Sequence, residues 1–255
     1  MPTMFSRVHL LALALLIRPA CVQAQTTLQV ELGLWNMTSE GTLSVGADDN
    51  AGTEVDVAED LDLDREENIW QAGATIGSTH QLALSYLAFD AKGHSMLPRT
   101  IEFGGFTYDA KSTVTSRLQG DLLGVGYRYA GGDETWRSGF LAGVQLASLE
   151  TEVADSEIGN GQGDISAIVP TIGVFAEWHP TVFLQLSASL HGGSWDWQET
   201  SVTFYDAEAS ARVLLFPFFA GLGYRHLAIQ GDDTSLPIEV DLTFSGPTWY
   251  AGLTF

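Results

Sequence analysis

The chain of 255 residues is 45% hydrophobic and carries 27 glycines, 7 tryptophans, one cysteine and a formal charge of −21 at neutral pH. So acidic a balance argues against nucleic acid or anionic headgroups as direct electrostatic partners. The lone cysteine, Cys21, excludes an internal disulfide and any cluster of thiolate ligands.

At the start of the chain, Arg7 precedes an apolar run from Leu10 to Ile17, and Val22-Gln23-Ala24 follows with small residues at cleavage spacing. That pattern predicts an export signal over 1–24, cut before Gln25. The run is about half the ~20 residues of a spanning helix, and Arg18 and Pro19 end it, so a helical anchor is a poor reading. Arg18 also stands where a lipoprotein signal wants a large aliphatic residue, which disfavours lipidation of Cys21. With the signal gone, residues 25–255 hold nine basic residues against 32 acidic ones, and no thiol.

From Thr27 onward the hydrophobicity alternates with period two. Leu28, Val30, Leu32 and Leu34 interleave with Gln29, Glu31 and Gly33, so one strand face is oily and the other is not. The pattern returns at Val182 to Leu190 and at Ala207 to Leu215. It predicts an all-β, closed, antiparallel up-and-down transmembrane barrel, with apolar side chains towards lipid and polar ones towards a lumen. Ten strands are expected, at 27–46, 67–78, 80–96, 112–130, 135–152, 164–178, 181–195, 201–216, 218–231 and 237–255, with eight and twelve as the neighbouring even counts. Short turns at Ser78-Thr79, Gly131 to Glu134, His179-Pro180 and Pro217 would face the periplasm, and the longer polar connections the outside. Strands longer than the ~9 to 11 residues of a membrane crossing should project beyond it. Around Gly104-Gly105 the second outer loop, Arg99 to Lys111, has the makings of a small extra hairpin.

The first outer loop, 47–66, is read as exposed and tolerant of change. Ten acidic residues lie between Asp48 and Glu67, balanced only by Arg65. Asp60, Asp62 and Asp64 could offer oxygens to Ca²⁺, a weak site that would bridge to lipopolysaccharide phosphates. The run lacks the central glycine and terminal glutamate spacing of an EF-hand, so a solvated, repulsive surface is the plainer expectation.

Aromatic residues flank the connections. Tyr129, Trp136, Trp178 and Phe218 sit beside the short turns, and Trp70, Tyr86 and Tyr205 near the opposite strand ends, as two interfacial girdles would require. In the last strand Trp249, Ala251, Leu253 and Phe255 alternate and finish on the aromatic.

That final strand resembles the carboxy-terminal signature of Gram-negative outer-membrane proteins, which the barrel-assembly machinery recognises. In layout the chain is similar to small outer-membrane barrels of the OmpA membrane-domain, OmpW and omptin kinds. It also resembles an uncharacterised group with an acidic first loop, here Asp60-Leu61-Asp62-Leu63-Asp64. The resemblance implies an outer-membrane location, with lipid, lipopolysaccharide and the assembly machinery as partners, and carries no catalytic residue onto this chain.

Strand parity places Glu31, Arg128, Arg137, Glu177, Asp206, Glu208, Arg212 and Arg225 inside a narrow barrel, where unpaired charge is costly. Counting from the turns puts Glu177, Arg128 and Arg137 in one layer, and Glu31, Arg212 and Arg225 above it. Glu31 should be held by Arg212 or Arg225, and Glu177 by Arg137 or Arg128. Such a network either fills the lumen or lines a narrow, porin-like constriction for ions and small solutes. His191, with Ser189, Ser194 and Glu199 nearby in sequence, is the only hydrolase-like grouping, and it does not reproduce the motif of outer-membrane lipid A deacylases. His94 and His226 lack the aspartate an omptin-like couple would need two residues away. The leading expectation is therefore a non-enzymatic barrel with a structural or surface-interaction role. No cofactor is expected. A narrow channel is the second reading, and an outer-membrane enzyme the third.

Overall fold

The computed structural model describes residues 27–47, 52–63, 67–197, 200–233 and 237–255. The predicted export signal lies outside the described residues. Among the described residues thirteen strands are present: β1 (Leu28–Val45), β2 (Val55–Asp56), β3 (Glu67–Gly77), β4 (His80–Met96), β5 (Ile101–Phe103), β6 (Phe106–Tyr108), β7 (Thr113–Gly132), β8 (Trp136–Asp155), β9 (Gly159–Thr181), β10 (Leu184–Trp197), β11 (Thr200–Leu215), β12 (Phe218–Asp233) and β13 (Ile238–Thr254).

Ten of them pair in sequence order, each antiparallel to the next, and β13 returns to β1 to close the ring. The closing register runs from Gln29 opposite Thr254 to Val45 opposite Ile238. Its last hydrogen bonds join Leu28 and Phe255 reciprocally, at 3.0 and 2.8 Å. Outside the ring, β2 lies against the end of β1, and β5 and β6 form the small hairpin expected in the second outer loop.

The turns at one end are short for local reasons. Gly77 and Gly132 take positive φ, a conformation that suits glycine, just before two of them. In the β7–β8 turn the Asp133 carboxylate accepts the backbone N–H groups of Thr135 and Trp136, at 2.8 and 2.9 Å. Those two amides hold the Asp133 carboxyl below the usual carboxylate range, Trp136 contributing most. The β9–β10 turn is at Val182-Phe183, beyond the expected His179-Pro180, because β9 runs on to Thr181 and a register irregularity follows at Leu184/Leu186.

At the opposite end, the stretch 153–163 is not the loop its glycines and polar residues suggested. β8 and β9 stay paired up to Asp155 opposite Gly159, leaving only three residues in the turn. Asp155 caps that turn by accepting the N–H of Glu157 and of Ile158.

The interior has two storeys. Near the turn end it is polar, as parity required. Above the middle the sign of the alternation reverses while the pleat continues. On β1 the outward Leu28, Val30, Leu32 and Leu34 give way to inward Trp35, Met37, Leu43 and Val45. On β13 the inward Ile238, Val240, Leu242 and Phe244 precede the outward Trp249. The polar-lumen expectation therefore fails in the upper half, where outward positions such as Glu40, Thr42, Glu239 and Asp241 are polar and the apolar side chains turn inward instead.

The first outer loop completes this upper core. Val55, Val57, Leu61 and Leu63 are all buried within it, and the second loop adds Leu97, Ile101, Phe103 and Tyr108. Fully burying each such Leu or Val is worth about 1.5–3 kcal/mol, which gives an acidic segment reason to fold inward. Its carbonyls are met by wall hydroxyls: Ser95 Oγ donates to Asp60, Ser116 Oγ to Leu61 and Ser39 Oγ to Leu63. The reading of 47–66 as a solvated, change-tolerant surface is thus corrected for its described residues. Even Gly52 packs so closely that a Cβ there would meet the Val45 carbonyl at 2.2 Å.

Candidate functional site

The polar storey collects most of the residues singled out by parity. Arg128 Nη2 donates to Glu177 Oε1 at 2.5 Å, with its guanidinium 3.6 Å from the centre of the Phe175 ring. One layer higher, Arg212 Nη2 lies 3.2 Å from Glu31 Oε2, and its guanidinium faces the rings of Tyr250 and Phe219. Both expected pairs form, each with one of its two named arginines.

Arg225 goes elsewhere. It grips Asp206 bidentately, through Nε at 3.0 Å and Nη2 at 2.6 Å, while Nη1 donates to Gln71 Oε1 at 2.8 Å. This fork-on-fork geometry suits a buried arginine and carboxylate. The guanidinium lies 5.1 Å below the ring of Trp35, the lowest member of the apolar storey on β1, so this layer is where charge meets oil. Arg137 does not join the network: its Nη2 donates to the Ser78 carbonyl at the turn end, 2.6 Å away. Glu208 lines the space between Arg212 and Arg225, opposite Arg225 in register.

These side chains surround a polar cavity of about 250 Å³. A second space of about 180 Å³ below it shares Gln29, Thr75, Arg128, Glu177 and Arg212 and reaches Gly77, His179 and Thr254 at the turn end. Above Arg225 the described interior is lined by buried apolar side chains, with a void of about 20 Å³ between Leu122, Leu149, Ile165 and Ile229. Among the described residues, then, a polar well lies beneath a layer of packed apolar side chains.

His191 faces the well with Nε2 3.7 Å from Asp206 Oδ2, and its ring packs on Phe204. No serine hydroxyl bonds to it among the described residues; Ser194 Oγ instead accepts from Thr203, at 3.0 Å, and Glu199 lies outside the described residues. Chemically the site is a set of ion pairs around room for a few waters, with the buried Arg128 Nε, Arg212 Nε and His191 Nδ1 left without a protein hydrogen-bond partner among the described residues.

The apolar layer above has its own polar fittings. Asp60 is buried, accepting Arg99 Nη2 at 2.9 Å and the Asp56 amide at 3.1 Å. Asp62 takes a positive φ of 55° in the turn, and Asp64 lies outside the described residues. Asp60 thus answers to an arginine, which corrects its reading as a candidate Ca²⁺ ligand. Tyr108 donates to the Val153 carbonyl at 2.7 Å and accepts the Gly161 N–H at 2.8 Å. Burial raises its phenol pKa. Sequence reasoning missed this buried residue, whose signal was a Tyr in alternation with Phe106 across Gly104-Gly105.

On the outer surface Trp70, Tyr86, Tyr205, Tyr129, Trp136, Trp178 and Phe218 are all exposed, as are Trp249 and Phe255, with Leu253 partly so. Trp70 and Tyr205 lie towards the loop end of their strands and the last four beside the turns, whereas Tyr86, expected near the loop end, is nearer the turn end of β4.

Solved structures of outer-membrane proteins align with the chain. The outer-membrane protease OmpT of Escherichia coli aligns with a TM-score of 0.58 at 10% identity, over 90% of this chain and 97% of that one. Ail of Yersinia pestis aligns at 0.41 and 8% identity, over 91% and 100%. The toluene transporter TodX of Pseudomonas putida aligns at 0.34 and 8% identity, over 89% of each. No protein-family model and no curated protein matches the sequence. At that identity the alignment with OmpT shows a shared fold, that of an outer-membrane β-barrel.

Proposed function

We propose that the protein is exported by its 1–24 signal, spans the outer membrane as a non-conducting barrel, and acts through its extracellular end without catalysis. The observation that carries this reading is the plug: two outer loops pack apolar side chains into a wall that is itself apolar inside. A dry, filled constriction has no polar path for an ion, and hydration of a charge inside it would be prohibitively costly. The exposed aromatics at two levels support a membrane-spanning band between them, with lipid and lipopolysaccharide as its surroundings. The reciprocal Leu28–Phe255 bonds support a role for the last strand in closure, where the assembly machinery would act.

Against an OmpT-like protease stands the placement of the histidines. His94 and His226 face outward on β4 and β12, and His191 sits deep in the well beside an aspartate already gripped by Arg225. The channel reading is favoured by the polar well alone. Reconstitution in planar bilayers separates the two: the expected result is no steady conductance, and a stable ohmic step from purified wild-type protein would overturn the plugged reading.

A further inference from the structure

The wall of the barrel is not continuous. Strands β9 and β10 pair from the turn end only as far as Ile172 opposite Gly192. Beyond that point each stays paired with its other neighbour, β9 with β8 up to Gly159 and β10 with β11 up to Trp197. Pro170 sits at the point of separation and has no N–H to give a neighbouring strand. Gly193 lies so close to it that a Cβ would stand 1.8 Å from the Pro170 carbonyl.

Above Pro170 the β8–β9 hairpin leans over the barrel mouth. Gly161 accepts no side chain there, because its amide meets Tyr108 Oη and a Cβ would touch the Phe103 carbonyl at 2.3 Å. Gly163 lies against Val45, which comes from the first strand. Inward leaning of one hairpin separates it from the next and leaves a lateral cleft.

At the cleft is a largely apolar cavity of about 650 Å³, within the ~300–1,000 Å³ typical of small-ligand sites. Its lower part is lined by Leu123, Leu146, Ile168 and Pro170, all on the outward parity that faces hydrocarbon. Its upper rim is polar: Asp121 accepts Tyr86 Oη at 2.7 Å, and Ser148 and Ser166 share a hydrogen bond of 3.1 Å. Oil below and hydroxyl and carboxylate groups above is the order an amphiphile presents in the outer leaflet, chain towards the bilayer centre and head towards water.

We infer that this cleft holds one alkyl chain of an outer-leaflet lipid, with the lipid's head beside Asp121, Ser148 and Ser166. The inference rests on the membrane-spanning reading above. Continuity of the cavity with the lipid-facing surface supplies the occupant, and the break at Pro170 supplies the space.

The test is photolabelling of the reconstituted full-length barrel with a phospholipid carrying a diazirine midway along one chain, the adducts being mapped by mass spectrometry. Adducts should concentrate on residues 166–170 and Trp195, several-fold above other outward residues such as Leu222. Pro170→Val returns an N–H to β9 and should reduce the labelling there to the level of the belt, with the heat-modifiable folded band unchanged. Ser166→Trp, which fills the cavity from its rim without touching the strand break, should do the same and serves if Pro170→Val does not fold. Even labelling around the belt in the wild type, or concentrated labelling that survives both variants, would overturn the lipid site and leave the spanning barrel standing. Absence of adducts from the whole outward band would overturn the membrane reading itself.

Discussion

The lower and upper storeys of the interior are built on the same pleat and solve opposite problems. Below, where the proposed spanning band would put lipid on the outside, the inward positions can be polar and the charges must find one another: Arg128 with Glu177, Arg212 with Glu31, Arg225 with Asp206. Above, water covers the outside, so the inward positions carry the oil and pack as in any soluble core. The boundary falls at Trp35, which touches both. What changes along the barrel is the solvent, and the side chains follow it.

The comparison is broken most severely from above. Phe244 is fully buried and its ring lies 5.0 Å from that of Phe89, so Phe244→Ala should lose about 3–5 kcal/mol of unfolding free energy, measured by urea titration in lipid vesicles. A loss below that of an exposed outward change such as Leu222→Ala would mean the plug is not a packed core.

From below, Asp206→Asn removes a charge from a buried bidentate pair and leaves Arg225 without its counter-ion. Roughly 3 kcal/mol should be lost, tempered by the waters the well admits. Glu31→Gln should cost less, about 1–2 kcal/mol, since Glu31 is the more exposed partner. A double-mutant cycle of Glu31 with Arg212 should show coupling, and the same cycle with Arg225 little. Equal coupling to both arginines would contradict the pairing described.

Tyr108→Phe sharpens the contrast, because it removes one hydroxyl from an otherwise apolar region and orphans the Val153 carbonyl and Gly161 amide. It should cost about 1–3 kcal/mol. Burial raises the Tyr108 pKa, so the protonated form is the one the fold favours. Its contribution is complete below the unfolded value near 10 and declines as pH rises through the folded value. Alkaline titration followed by unfolding should show a steeper loss for wild type than for Tyr108→Phe, and parallel curves would count against the assignment.

The smallest effect belongs to the exposed turn. Asp133 has a depressed pKa, so its capping is present above the unfolded value near 4 and is lost as pH falls below it and through the folded value. Asp133→Asn should flatten stability slightly in that window and leave neutral pH almost unchanged; a shift as large as that from Phe244→Ala would show the turn to be more than a connection.

Much of this was legible in the sequence. Period-two alternation yields the ten-strand ring, the turn end and the parity that puts eight charged residues inside. The reversal of sign was also written there, in Leu34-Trp35 and in Leu253 back to Phe244. Reading one face as lipid-facing along its whole length conceals it, since alternation tells which residues share a face but not which solvent that face meets. Val55, Val57, Leu61 and Leu63 were hidden for another reason: they alternate with acids, and the acids dominate the local charge. Arg225 choosing Asp206 over Glu31 is a matter of distances that heights counted from turns do not resolve. Pro170 was visible as a proline inside a strand, but where its missing N–H would have pointed requires the ring.

The plug draws its wall from both ends of the chain, Trp35 and Leu43 on β1 and Val240 and Phe244 on β13, strands that meet only when the ring closes. Contacts of such long sequence separation form late. An unclosed barrel would hold β1's oily upper stretch with no opposite wall, exposed to any holdase or protease that surveys it. Sealing of the ring and drying of its mouth are then a single event, and a chain that fails at the last strand also fails to hide its first.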